Sequence, residues 1–173
     1  MNLQWVHTSD LESAGQSGTH LFMSQVLEMP QVTWNAIINN HERCIVDGEP
    51  GTIVYFSGGW MNGYLMNSHL REIAHPIREE LRKFKEGIAY NTHLYCNMGN
   101  ELKTYGKHHD QADVFFIPMI GDLVMKVWNK DSEEYKYNMT PGDVLYIPAG
   151  LDHESVASVP RASLSFGIEF NED

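Results

Sequence analysis

The chain has little cysteine, little positive charge and no long apolar run, and each shortage excludes a class of protein. Cys44 and Cys96 are the two cysteines in 173 residues and have no CxxC spacing. That argues against a disulfide framework and against a zinc-thiolate site, and a reducing compartment fits such usage. Lys and Arg number 12 against 23 Asp and Glu, a formal net charge of −11 at pH 7, and no basic run interleaved with aromatics appears. The balance disfavours tight binding to a phosphate backbone, so no nucleic acid partner is expected, and a macromolecular partner should be a basic protein or peptide. No apolar stretch approaches the roughly 20 residues a membrane helix requires. The opening residues, MNLQWVHTSDLESAG, lack a basic segment followed by an apolar one. The expectation is a cytoplasmic protein with no membrane association, as monomer or homodimer. Repeats, low-complexity tracts and linker-like stretches are also missing, so residues 1–173 read as one domain.

What is present divides at about residue 88. Residues 1–87 read as α/β decoration. THLFMSQVLEM begins with a strand, and Thr33 is placed to cap a short helix whose buried stripe is Trp34, Ile37 and Ile38. CIVDGEPGTIVYFSGG has two β-rich runs around a Gly/Pro turn, as in a hairpin or two linked strands. SHLREIAHPIREELRKFKEG is helical in pattern, with Ile77, Leu81 and Phe84 on one face, Gly87 as its stop and Pro76 as a break. Residues 88–173 read as the barrel core: IAYNTHLYCNM, DVFFIPMI, DLVMKVWN, EEYKYNM, DVLYIPAG and RASLSFGIEF are short β-rich runs separated by turn residues. Phe115, Phe116 and Trp128 are expected in the core.

The chemistry concentrates in YGKHHDQADVF. Residues two apart on a strand share a face, so His108 and Asp110 point together while His109 points the other way. An HxD on a strand is by itself ordinary surface chemistry; a third ligand gives it meaning. PGDVLYIPAGLDH supplies one, because Pro148 and Gly150 shape a turn after the strand and His153 follows at the rim. Two histidines and one carboxylate on one side of a metal leave positions open for substrate and oxygen, the arrangement of non-heme Fe(II) oxygenases. His7, His20, His41, His69, His75 and His93 have no ligand spacing and read as structural.

GDVLYIPAGLDH matches the second cupin motif without gaps, and HHDQADVFFIPMIG joined to PGDVLYIPAGLDHE resembles the JmjC-type ribosomal oxygenases. The resemblance covers about residues 104 to 170, with a fainter one over LFMSQVLEMPQVTWNAIIN. It implies a mainly β fold, a double-stranded β-helix (cupin or jelly roll) with N-terminal helices packed on one sheet. It also implies an Fe(II)- and 2-oxoglutarate-dependent hydroxylase with His108, Asp110 and His153 as metal ligands and Asp113 as a structural acid. The substrate would be a protein side chain or a small molecule.

Two departures accompany the resemblance. The family commonly carries Lys or Arg two residues after the Gly that ends the DVF strand, where it pairs with 2-oxoglutarate; here that Gly is Gly121 and the position holds Leu123, with Lys126 facing away. The larger family members also continue into dimerisation and winged-helix regions, whereas this sequence ends at FGIEFNED. Arg161 and Ser163, eight and ten residues after His153, resemble the Arg-x-Ser pair that many other 2-oxoglutarate oxygenases carry on the strand after the distal His, which implies that they replace the missing anchor; the alternative is that Arg161 is a surface ion-pair residue. In RASLSFGIEF the face of Arg161, Ser163, Ser165 and Gly167 would line the barrel, and that of Leu164, Phe166, Ile168 and Phe170 would pack under the helices. Tyr95 and Asn97 share a face with His93 that points either in or out; if in, they are further cosubstrate candidates. Leu123 keeps a second function open, a metal cupin enzyme that uses no 2-oxoglutarate, and a third is a non-catalytic cupin module that binds a ligand.

Overall fold

The computed structural model of the protein describes residues 8–29, 31–39, 53–55, 58–62, 74–79, 89–97, 104, 106–156 and 159–169. Helix α1 (Thr8–Ser17) precedes β1 (Leu21–Met23), β2 (Ile53–Tyr55), β3 (Gly58–Asn62), β4 (Ala89–Asn97) and β5 (Asp113–Ile120). There follow β6 (Leu123–Trp128), β7 (Glu134–Met139), β8 (Val144–Ile147), β9 (His153–Val156) and β10 (Arg161–Glu169). Seven strands form one sheet in the order β1-β8-β5-β10-β4-β3-β2, and three form another in the order β7-β6-β9. Every pairing is antiparallel. Two such sheets with strands that pass from one to the other make a double-stranded β-helix.

Strand alternation sorts the apolar side chains into two layers. Phe115, Ile117, Tyr146, Leu164 and Phe166 project from the larger sheet onto Ala14, Ile37, Ala74 and Ile77 of the helical segments. The helices therefore cover one sheet, as expected. Phe116, Leu145 and Ile147 project the other way and meet Leu123, Met125, Val127 and Met139 of the smaller sheet inside the barrel. Each large side chain so buried stabilises the fold by about 1.5–3 kcal/mol, so the two layers fix which face of every strand looks inward. The chain changes sheets between β5 and β6 at Gly121, whose φ of +70° and close approach to the Pro160 carbonyl leave no room for a Cβ. Before β8 the buried Asp143 carboxylate joins the exit of β1 to the Thr140 turn, accepting from Ser24, Gln25 and Thr140.

Several expectations need correction. Ile38 is 40% exposed; adjacent positions on a helix point about 100° apart, and it is Ile37 that reaches the core. Thr33 does cap residues 34–39, its hydroxyl accepting from the Ala36 amide at 3.3 Å. Residues 74–79 are helical and include Pro76, and residues 68–73, on the other side of the expected break, lie outside the described residues. β2 and β3 pair antiparallel, while the Gly/Pro stretch read as a turn lies outside the described residues. The run at residues 44–47, together with Leu81, Phe84 and Gly87, lies outside the described residues. Trp128 is half-buried on the outward face of β6 with the Lys107 ammonium 4.2 Å from its ring centroid, because inward parity on that strand belongs to Leu123, Met125 and Val127.

Candidate metal centre

His108–Asp110 do not lie in a regular strand, and His153 opens one, β9. A single antiparallel bridge joins the two segments: the His108 amide donates to the His153 carbonyl at 3.0 Å and the His153 amide returns a bond at 2.7 Å. Residues paired in this way carry their side chains on one face, and the two imidazole centroids are 4.5 Å apart. Asp110 comes round to the same side, its Oδ2 3.5 Å from His153 Nε2. One ligand atom from each of His108, Asp110 and His153 lies within 4.8 Å of the others.

The tautomers suit a cation. His108 Nδ1 is 2.8 Å from the Gly106 carbonyl and His153 Nδ1 is 3.0 Å from that of Leu151. A carbonyl only accepts, so each Nδ1 carries the proton and each Nε2 keeps the lone pair. Burial also lowers the His153 pKa, against a smaller opposing effect of the Leu151 bond, which favours the neutral imidazole a metal needs. Two neutral imidazoles and one carboxylate make a donor set suited to Fe(II), Mn(II), Co(II) or Zn(II).

His109 turns outward, with Nδ1 3.3 Å from Asp152, and the same carboxylate meets Lys107 at 3.3 Å. Asp113, the next acid along, is also outside the ligand cluster. It lies on the helix-covered face of β5, where its carboxylate accepts from the Tyr146 hydroxyl at 2.7 Å and the Ala149 amide at 2.9 Å. Burial and that carboxylate push the Tyr146 hydroxyl pKa up, so it remains a donor.

Deeper in the barrel, Arg161 is 5% exposed. Its Nη2 donates to Ser155 Oγ at 2.9 Å and its Nη1 to Ser163 Oγ at 3.4 Å, while Nε is buried without a hydrogen-bond partner. Among the described residues no carboxylate pairs with it, and burial draws its pKa down. Arg161 is thus an interior residue and not a surface ion-pair partner. Ser155 stands two residues after His153 on β9, roughly 7 Å along the strand and on the same face, so the guanidinium bonded to it shares the interior side of the ligand. Across β10, Asn97 is in register with Arg161, Tyr95 with Ser163 and His93 with Ser165. Tyr95 packs on the inner apolar layer, which places its face of β4 inward. Leu123 belongs to the same layer, and Lys126 faces out toward Glu154 at 3.5 Å. Burial pushes the Cys96 thiol up to about 12, which favours the protonated thiol at neutral pH. Ser155 is the member of this group that sequence reasoning missed. Its parity with His153 was the signal available, but the bond to Arg161 depends on how β9 and β10 meet.

Residues 125–173 match the family model described as the JmjC domain. A probable ribosomal oxygenase of Haemophilus influenzae is 34% identical over 84 residues, covering 38% of this chain and 21% of that protein. The fold superposes on the Escherichia coli ribosomal oxygenase YcfD with a TM-score of 0.75 at 16% identity, over 99% of this chain and 55% of the other. YcfD in complex with cobalt and 2-oxoglutarate gives 0.74 at 16% identity, over 96% of this chain and 52% of that one. A Pseudomonas putida prolyl-4-hydroxylase gives 0.61 at 14% identity, over 94% of this chain and 98% of the other. The chain spans about a fifth of the curated relative and about half of the YcfD chains. The barrel has the cupin-like double-stranded β-helix fold of these structures, and its C-terminal part is similar to the JmjC domain and to the ribosomal oxygenase.

Proposed function

We propose that the protein is an Fe(II)- and 2-oxoglutarate-dependent hydroxylase. The observation that carries this reading is Arg161, a buried guanidinium with no carboxylate partner among the described residues, bonded to Ser155 two residues along β9 from His153 of the His-Asp-His cluster. A cation so placed calls for an anion inside the barrel. The bound iron and 2-oxoglutarate would supply the oxidising chemistry, in which O2 and 2-oxoglutarate yield succinate, CO2 and a hydroxylated C–H bond.

The chain's own contribution is to bind and orient. His108, Asp110 and His153 would hold the ion from one side, with both Nε2 lone pairs fixed by the Gly106 and Leu151 carbonyls. Arg161, with the Ser155 and Ser163 hydroxyls, would take the distal carboxylate in the role that the resemblance gives to the Leu123 position, and Tyr95, in register with Ser163 on the neighbouring β4, would flank it; the Asn97 side chain lies outside the described residues. Phe116, Leu123, Met125 and Leu145 keep water from the surrounding interior. A protein side chain is the substrate class, a reading supported by the ribosomal oxygenase names of the relatives. Titration with Mn(II) and 2-oxoglutarate, followed by a succinate assay with Fe(II) and O2, tests it. Metal binding without any 2-oxoglutarate binding would favour instead a metal cupin enzyme that uses no 2-oxoglutarate, the reading that the apolar Leu123 supports.

A further inference from the structure

Asp113 follows the ligand Asp110 by three residues, yet strand parity turns it to the opposite face of the larger sheet. Its position shows what it does there. The metal centre is assembled from two pieces of chain, residues 108–110 and His153, and the second follows the turn 148–152. Three backbone bonds join the pieces: His108 to His153 in both directions, and the Gly150 amide to the Asp110 carbonyl at 2.9 Å. The buried side-chain link among the described residues is the Asp113 carboxylate, whose Oδ1 holds the Ala149 amide at 2.9 Å while Oδ2 accepts from the Tyr146 hydroxyl at 2.7 Å. The exposed Lys107–Asp152–His109 contacts add little, since ion pairs in water are worth at most about 1 kcal/mol.

We infer that Asp113 is a positioning residue for the metal centre: through its bond to the Ala149 amide it sets where the 148–152 turn delivers His153. The inference rests on the metal-centre reading above and is independent of whether 2-oxoglutarate is used. It separates two functions of one cluster. The Ala149 bond governs ligand geometry, and the Tyr146 bond serves the stability of the sheet.

The test is Mn(II) affinity and the Co(II) visible spectrum of the purified protein, beside the melting temperature of the metal-free form, for Asp113→Val, Asp113→Asn and Tyr146→Phe. Loss of a group that orients a metal ligand weakens binding by about 10- to 100-fold, and Asp113→Val should fall in that range with an altered Co(II) spectrum. Asp113→Asn keeps an oxygen for Ala149 and offers its NH2 to the tyrosine oxygen, so it should bind Mn(II) within about threefold of the unmutated protein. Tyr146→Phe should melt lower yet keep its metal affinity. If Asp113→Val does not fold, Asp113→Ser replaces it, since its hydroxyl stops about 1.2 Å short of the carboxylate oxygens. Mn(II) affinity in the valine or serine variant equal to that of the unmutated protein overturns the inference, as does affinity that merely tracks melting temperature across all variants. No metal binding by the unmutated protein would instead overturn the metal-centre reading itself.

Discussion

Replacing Arg161 by Met should move stability and ligand binding in opposite directions. In the ligand-free protein the guanidinium is buried, bonded to two serine hydroxyls and faced by no carboxylate among the described residues. Burying a charge without a partner costs several kcal/mol, and neutral hydroxyls offset only part of that. Methionine keeps the volume and removes the charge, so the ligand-free melting temperature should stay within about 3 °C or rise. Binding responds differently. Two charge-assisted hydrogen bonds to a carboxylate are worth about 1.5–3 kcal/mol each, and loss of 3 kcal/mol weakens affinity about 160-fold. Suppose the 2-oxoglutarate mimic N-oxalylglycine is present at 100 times the Kd of the unmutated protein, with saturating Mn(II). The unmutated protein then gains about 2.7 kcal/mol, or roughly 5–10 °C for a chain of this size. Arg161→Met at the same concentration gains about 0.3 kcal/mol, near 1 °C. Differential scanning fluorimetry reads both quantities in one experiment. The reasoning is refuted if the ligand-free variant melts more than about 6 °C lower while its ligand-induced gain persists, for Arg161 would then be a structural residue with the anchor elsewhere.

His108→Ala should abolish stoichiometric Mn(II) or Co(II) binding while His109→Ala keeps it, measured by metal analysis after gel filtration; the reverse pattern would put the ligand register one residue off. Gly121→Ala demands a side chain at φ +70° against the Pro160 carbonyl, so it should lose more than about 2 kcal/mol in urea unfolding, and an unchanged midpoint would contradict the close approach. For Asp143, burial alone would raise the carboxyl pKa, but hydrogen bonds from Thr140, Gln25 and Ser24 outweigh it and hold the value below the usual range. A depressed carboxylate contributes stability above its unfolded pKa, near 4, and that contribution is lost as pH falls through the folded value. Urea midpoints between about pH 5 and pH 2 should therefore fall less steeply for Asp143→Asn than for the unmutated protein; equal slopes would remove Asp143 from the acid response.

Period-two alternation and turn residues made the barrel legible in the sequence, because in a strand buried on one or both faces the side-chain pattern is the fold's own constraint. DVFFIPMI, DLVMKVWN, EEYKYNM, DVLYIPAG and RASLSFGIEF became β5, β6, β7, β8 and β10. The inward face of Arg161, Ser163 and Ser165 followed from parity alone. The grouping of His108 and Asp110 on one side followed as well, although the segment that carries them is not a strand. Short helices and their surroundings were less legible: Ile37 and Ile38 are both apolar, and only the position of the sheet beneath them decides which is buried. Tertiary structure alone brought His153 back across the sheets to pair with His108, placed the Ser155 hydroxyl on Arg161, and sent the Asp113 carboxylate to the Ala149 amide. Each of these joins residues 36 to 45 apart or on strands of different sheets, and a side chain's parity on its own strand says which face it occupies but not which strand lies opposite.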